Sequence, residues 1–465
     1  MTRKYGTTRN APSKVAALSE TERDLLAADR PGFGASSKME AAFNLVNSCV
    51  GAGIIGLPFA IYLAGFWRAV LLSIFVGVLS GFGCYILVVS GQRVGIYKYA
   101  VLMEYTLGKF GYHFLNFLIL VQSSGACVSY FILIGDTIPV LLNLYFPQHE
   151  NLTNRSFIIS LIAIFFVLPL NLSRSLGSLS RWSILSVLCL PVILIALLIR
   201  APAYSSSHEA PLDWQGPDTF GALGILAFAF ACSHVCFGVF LSLEDQTDRA
   251  WSISTSLAFF ISWFVSIAFA VIGYLSFGKD VQPNLFLNFP DDDVLVNIGR
   301  FALGFSMILT IPMAFYPTRE AVQKLLGFET ATRQPNSMQH YSVTILLFLF
   351  ITILGITVRS LGKLYTLVGG FAATFLAYIL PAMACLVTRR YPVIVSTEQI
   401  IDEATVKTPL IHNSSSSSED SASDNSIIAS EENPKFGFID ISAVVLLVWG
   451  VVVMIFATGG VFLNP

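Results

Sequence analysis

The stretch with the most unusual chemistry is NLVNSCVGAGIIGLPFA, residues 44–60, where Gly51, Gly53, Gly56 and Pro58 sit inside an otherwise apolar run. Gly costs about 1 kcal/mol and Pro about 3 kcal/mol in a helix interior, so this composition does not encode an unbroken helix. The backbone N–H and C=O groups freed by a break are polar and directional, and in an apolar setting each needs a partner. A hydrophobic segment interrupted in this way is a candidate binding site made of backbone rather than of side chains. Residues 51–56, GAGIIG, also fit the dinucleotide fingerprint GxGxxG. That motif requires a preceding strand, a βαβ unit and an acid about 20 residues on. Here the apolar run continues on both sides, and no Asp or Glu occurs between Glu40 and Glu104, so the nucleotide reading is set aside.

A second stretch repeats the peculiarity. LAFAFACSHVCFGVFLSLED, residues 226–245, is interrupted by Ser233, His234 and Gly238. No Lys, Arg, Asp or Glu lies within 41–67 or 221–243. The N-terminus of a half-helix carries about +0.5 elementary charge and can hold a carboxylate without a basic side chain. Unwound carbonyls can receive an ammonium group. Opposed backbone dipoles with no net charge suit a zwitterion with a neutral side chain, whereas a cationic ligand would want a carboxylate nearby. Glycines that serve only close helix packing are the plainer reading of the same residues.

Composition describes what surrounds these stretches. Of 465 residues, 55% are hydrophobic and 12% charged, where a soluble domain carries about 25% charged. The chain therefore reads as an all-α polytopic membrane protein. Its net charge of −2 leaves no footprint for nucleic acid. The seven cysteines, at 49, 84, 127, 189, 232, 236 and 385, fall in or beside apolar runs and imply no disulfide framework. Cys232 and Cys236, one helical turn apart, read as small packing residues. Paired carboxylates, metal-ligand clusters and nucleophile–base spacings are absent from the apolar runs, which speaks against an enzyme.

A spanning helix needs about 20 apolar residues. Eleven runs qualify: 40–62, 69–90, 112–135, 156–171, 182–200, 220–242, 252–277, 296–317, 341–358, 363–387 and 438–461, the fourth being short. The two interruptions lie about five spans apart. That spacing suits an inverted 5+5 repeat, spans 1–5 within 39–200 and spans 6–10 within 220–387, joined by 201–219, with an eleventh helix within 438–465. Discontinuous first and sixth helices meeting at the midplane are the pattern of LeuT-type transporters.

Orientation follows from Lys and Arg. With the N-terminus inside, cytoplasmic segments hold 20 of these residues and the opposite side 7. The N-terminus is thus expected in the cytoplasm. Two sequons, Asn151-Leu-Thr and Asn154-Arg-Ser, fall in a connection placed on the far side, where glycosylation occurs. Sequons at Asn171 and Asn413 fall on the cytoplasmic side and should be silent. Residues 1–38 are polar, lack a signal-peptide core and are expected to form a disordered cytoplasmic tail, open to a regulatory protein partner. Residues 388–437 contain SSSSSEDSASD, a polar acidic tract with no core-forming capacity. Ser414 to Ser418 are phosphorylation candidates there, an inert spacer being the bland reading.

Four segments carry a family resemblance. AAFNLVNSCVGAGIIGLPFAIYLAGF (41–66) resembles the first helix of the amino acid/auxin permease superfamily. SYFILIGDTIP (129–139) resembles its third helix, FAFACSHVCFGVFLSLED (228–245) its sixth and GRFALGFSMILTIPMAFYPTRE (299–320) its eighth. The sequence looks similar to the sodium-coupled neutral amino acid transporters of solute carrier family 38 and to fungal vacuolar amino acid transporters. The resemblance implies secondary active transport of neutral amino acids by alternating access, with H⁺ or Na⁺ as coupling ion and no other cofactor. It implies that Gly51, Ala52 and Gly53 present backbone to the substrate, and that Asn47 and Thr310 lie at the cation site. Ser48 beside the first break, Phe230, Ser233 and His234 at the second, and Tyr130 on the third helix complete the candidate substrate set. Many members have Cys-His at the sixth-helix break, whereas here Ser233 separates Cys232 from His234. An imidazole with its pKa near ~6.5 could carry protons at acidic lumenal pH, and a neutral histidine bonded to a carbonyl is the alternative. The resemblance favours a vacuolar or lysosomal membrane, with the plasma membrane as alternative.

Gln122, Ser123 and Ser124 are polar at mid-span and are candidates to line the pathway. Asp136 reads as a capping or pairing residue, and Asp291 to Asp293 as a solvated acidic patch. A reading from a different class is an amino-acid sensor or scaffold with vestigial transport that signals through the N-terminal tail.

Overall fold

The structure is a computed structural model that describes residues 31–148, 153–172, 176–329, 335–389 and 437–463. Most of the expected N-terminal tail, Asn151, Asn413 and the Ser414 to Ser418 tract lie outside the described residues. Among the described residues all regular elements are helical: α1 (Lys38–Cys49), α2 (Leu57–Ala64), α3 (Phe66–Val94), α4 (Tyr99–Tyr145), α5 (Arg155–Ile162), α6 (Leu168–Asn171), α7 (Leu176–Arg200), α8 (Thr219–Ala229), α9 (Cys236–Ser242), α10 (Asp248–Phe277), α11 (Val294–Leu325), α12 (Ser337–Thr357), α13 (Leu361–Val368), α14 (Leu380–Thr388) and α15 (Phe438–Leu463).

Both interrupted stretches are broken. α1 ends at Cys49, a 3₁₀ turn covers Ala52–Gly56, and α2 resumes with Pro58 in its first turn, the two halves bent by 55°. Proline is tolerated there because first-turn N–H groups have no intrahelical acceptor. α8 ends at Ala229, Ser233–Val235 form a 3₁₀ turn, and α9 follows.

Among the described residues, nine helices are long and apolar enough to cross a membrane, ten when α1 and the bent half after it count as one span. The expected fourth span is the exception. Arg155–Asn171 is a shorter apolar helix. At 1.5 Å per residue it reaches about 25 Å against a hydrocarbon core of about 30 Å. A π turn over Ala163–Val167 interrupts it, followed at once by Pro169. α4 begins earlier than the sequence predicts because Gly108, at φ 68° and ψ −164°, kinks a short first segment away from the spanning part. Only glycine takes that conformation without strain.

Helix starts are fixed by side chains. Ser37 and Glu40 form a capping box on α1, with the Ser37 N–H donating to the Glu40 carboxylate at 2.7 Å. Asn154 Oδ1 accepts from the Ser156 and Phe157 N–H groups at the start of α5. Asp293, expected in a solvated patch, is buried instead. It caps α11, accepts from Arg200 Nε at 2.6 Å and from Tyr204 Oη at 3.2 Å. Burial pushes its carboxyl up, but the Arg200 and Val296 hydrogen bonds outweigh that and hold it below the usual carboxylate range.

α11 packs along both α4 and α7. α1, α2, α3 and α10 form a second group, and α8 lies against α2, α13 and α15. A short strap precedes α1. The Ser36 N–H donates to the Ser242 carbonyl at 2.8 Å, the Glu244 N–H returns to the Ser36 carbonyl at 3.0 Å, and Lys38 pairs with Asp245 at 3.3 Å. The chain entering the first broken span is thereby tied to the chain leaving the second.

Candidate functional site

The two breaks meet at a cavity of about 290 Å³. Asn47, Ser48, Gly51 and Gly53 line it from the first broken span, and Phe228, Ala229, Ala231 and His234 from the second. A Cβ added at Gly53 would lie 3.1 Å from Ala229 Cα and 3.4 Å from the Phe228 ring, so any side chain there would push the two breaks apart by a few tenths of an ångström. Glycine lets the two segments approach closely and brings backbone from both breaks to one space. Among the described residues, no Lys, Arg, Asp or Glu lines the cavity. Asn47, Ser48 and His234 are exposed although they lie within apolar spans, so the cavity is open at one end. Phe228, on the cavity wall, stacks its ring on Tyr365 with centroids 4.6 Å apart.

Two scaffold helices complete the wall. α4 contributes Gln122, Ser123, Ala126 and Tyr130, residues three to four apart that share a helix face. α11 contributes Ser306, Met307, Thr310, Met313, Ala314 and Pro317, and α7 contributes Ser186 and Leu190. Three hydroxyls converge between α7 and α11. Thr310 Oγ1 donates to the Ser306 carbonyl at 2.8 Å and lies 2.5 Å from Ser186 Oγ, which is 2.8 Å from Ser306 Oγ. With the Asn47 amide in the same cavity, they form a set of hard, neutral oxygen donors of the kind alkali cations prefer to thiols or imidazoles.

The sequence candidates divide accordingly. Asn47, Ser48, Gly51, Gly53, Tyr130, His234 and Thr310 share the cavity. Ala52 is in the 3₁₀ turn between them. Phe230 and Ser233 do not line it. Phe230 is buried on the opposite side of the α8 end, near Leu57, Ala60 and Trp263. Ser233 is buried with its Oγ 3.6 Å from Cys84 Sγ, and Cys84 Sγ is 3.8 Å from Cys232 Sγ. Phe228 takes the place expected of Phe230. Two residues turn a helix by about 200°, and the sequence does not say which aromatic faces inward. Ser186 and Ser306 were also missed, since isolated serines in apolar runs give no periodic signal. Asp136 pairs rather than lines the cavity: Asn284 Nδ2 donates to it at 3.2 Å, and Arg155 Nε lies 3.6 Å away.

Comparison with known proteins points the same way as this geometry. A family model described as transmembrane amino acid transporter protein matches residues 34–401. A Bos taurus protein provisionally named sodium-coupled neutral amino acid transporter 11 is 33% identical over 371 residues, 78% of this chain and 79% of its own. Vacuolar amino acid transporter 2 of Saccharomyces cerevisiae is 31% identical over 369 residues, 74% of this chain and 75% of its own. Among solved structures, MhsT in complex with L-phenylalanine aligns with TM-score 0.43 and 14% identity over 76% of this chain and 96% of that one, too distant a likeness to bear on fold or function.

Proposed function

This chain belongs to the transmembrane amino acid transporter family, and from that premise we propose that it moves neutral amino acids across a membrane by alternating access, coupled to Na⁺ or H⁺. The observation that carries the reading is the cavity at the two helix breaks, rich in backbone and free of charged side chains. The α-carboxylate and α-ammonium groups of the substrate meet the half-helix ends around Gly51–Gly53 and Phe228–Ala231, where dipoles rather than ions balance them. The absence of a fixed charge on the wall selects against a second charge on the ligand, because an ion moved into such a site loses hydration that nothing replaces.

Asn47 and Thr310 are assigned to the cation, with Ser186 and Ser306 holding the Thr310 hydroxyl in place. The names of the sodium-coupled relatives support Na⁺ and that of the vacuolar relative supports an endomembrane. His234, open to the cavity, is assigned to the pH response. In this reading the architecture is LeuT-type, with eleven spans in a 5+5 inverted repeat plus one, a cytoplasmic N-terminus and glycosylation at Asn151 or Asn154. The cap on α5 uses Asn154 Oδ1 and leaves its Nδ2 for the sugar. The purified protein in proteoliposomes tests the proposal. Labelled neutral amino acids should accumulate when a Na⁺ or H⁺ gradient is imposed, and a flux indifferent to both gradients would refute the coupling.

A further inference from the structure

Of the described residues that line the cavity, Gln122 alone carries a buried side-chain polar atom with no hydrogen-bond partner, its carbonyl oxygen Oε1. The residue is 7% exposed. The polar side chains that α7 and α11 bring to the cavity satisfy one another: buried Ser186 and Ser306 and half-buried Thr310 are joined by hydrogen bonds. A buried acceptor without a donor is costly, and the cost is removed only when a donor arrives. Gln122 sits one helical turn from Ala126 and two from Tyr130 on the cavity face of α4. The cavity it lines also carries apolar side chains, Leu190, Met307 and Met313 among them, beside the hydroxyls of Ser123 and Tyr130 on α4. The terminal amide torsion of glutamine is broad and nearly two-fold, so the group can turn over and present its oxygen or its N–H to the cavity without moving the helix.

We infer that Gln122 is a specificity-determining residue: it reads the substrate side chain and favours neutral amino acids whose side chains carry a hydrogen-bond donor. A carboxamide answers best, since it donates to Oε1 and accepts from Nε2 at once. A hydroxyl answers half of that. An aliphatic side chain of the same size leaves the oxygen unpaired, and a site built to hydrogen-bond a ligand group discriminates against the analogue lacking it. The inference rests on the transport reading above and deepens it, because the helix breaks account for the α-amino and α-carboxylate groups and say nothing about the side chain.

The test compares near-isosteres. Asparagine and leucine compete against one labelled neutral amino acid in proteoliposomes, with wild-type protein and with Gln122→Met, which keeps the length and removes both hydrogen-bonding atoms. Wild type should prefer asparagine by about ten-fold, within the roughly 5- to 150-fold range that one satisfied buried polar group commands. In Gln122→Met the ratio should fall to near unity. An unchanged ratio in the variant overturns the assignment. So does a wild-type protein that prefers leucine, which needs no variant to observe. Absence of uptake of every amino acid by wild type would instead refute the transport reading itself, so the two failures are distinguishable.

Discussion

At the scale of single residues, the account rests on a few atoms with few alternatives. In the proposed ion site, Thr310 Oγ1 is the cation's ligand and its contact with Ser186, itself bonded to Ser306, fixes its position. Thr310→Ala should raise the cation concentration for half-maximal uptake by about ten-fold, a typical loss for one buried oxygen donor, while leaving protein abundance near wild type. Uptake titrated against Na⁺ and against pH reads this directly, and an unshifted titration would remove Thr310 from the ion site. Gly53→Leu fills the gap against Ala229 and Phe228, so substrate-induced thermal stabilisation should vanish. His234→Asn should flatten the dependence of rate on pH between about 5 and 8, the range in which an imidazole titrates. The break at Gly51–Gly53 was legible in the sequence because glycine and proline in an apolar run contradict helix propensity. Phe228, Ser186 and Ser306 were not, because the direction a side chain takes at a helix end and the pairing of lone serines are decided by tertiary packing.

At the scale of elements, what matters is how each helix is started, kinked or stopped. Gly108 bends the lead-in segment of α4 at a backbone conformation that other residues reach only with strain of about 1–3 kcal/mol. Gly108→Val should therefore lower the thermal unfolding temperature, with the helix content unchanged by circular dichroism. Asp293 joins the starts and ends of two helices by capping α11 while it pairs with Arg200 at the end of α7. Its carboxyl is held below the ordinary range when folded, so the clasp contributes fully above the unfolded-state pKa and is lost as pH falls through the lower folded value. The stability difference between wild type and Asp293→Asn should stay constant from neutral to mildly acidic lumenal pH and shrink only in stronger acid. Apolar run length anticipated most of the spans. The fourth, Arg155–Asn171, is shorter than the others and carries a π turn and Pro169, neither of which hydropathy reports.

At the scale of the whole molecule, the helices fall into groups that share the cavity between them. The two broken spans, α1 with α2 and α8 with α9, bring backbone to it, while α4, α7 and α11 supply side chains. The strap from Ser36 to Ser242 and Glu244 ties the open-end halves of the two broken spans together, so they are placed to move as one unit. The Phe228 ring, which lines the cavity, stacks on Tyr365 behind it, so in the proposed mechanism a movement of α13 would reach the cavity wall through this pair. The inverted repeat was suggested by the spacing of two interruptions, but neither the strap nor the ring stack left a mark in hydropathy, since both depend on contacts between residues far apart in sequence. The central claim, that a cavity without charged side chains selects substrates whose charges cancel, is tested most directly by concentrative uptake of labelled asparagine, leucine, arginine and glutamate into the same proteoliposomes. The account predicts gradient-driven accumulation of the two neutral amino acids and exclusion of the two charged ones. Accumulation of arginine or glutamate at a rate matching the neutral pair would contradict it.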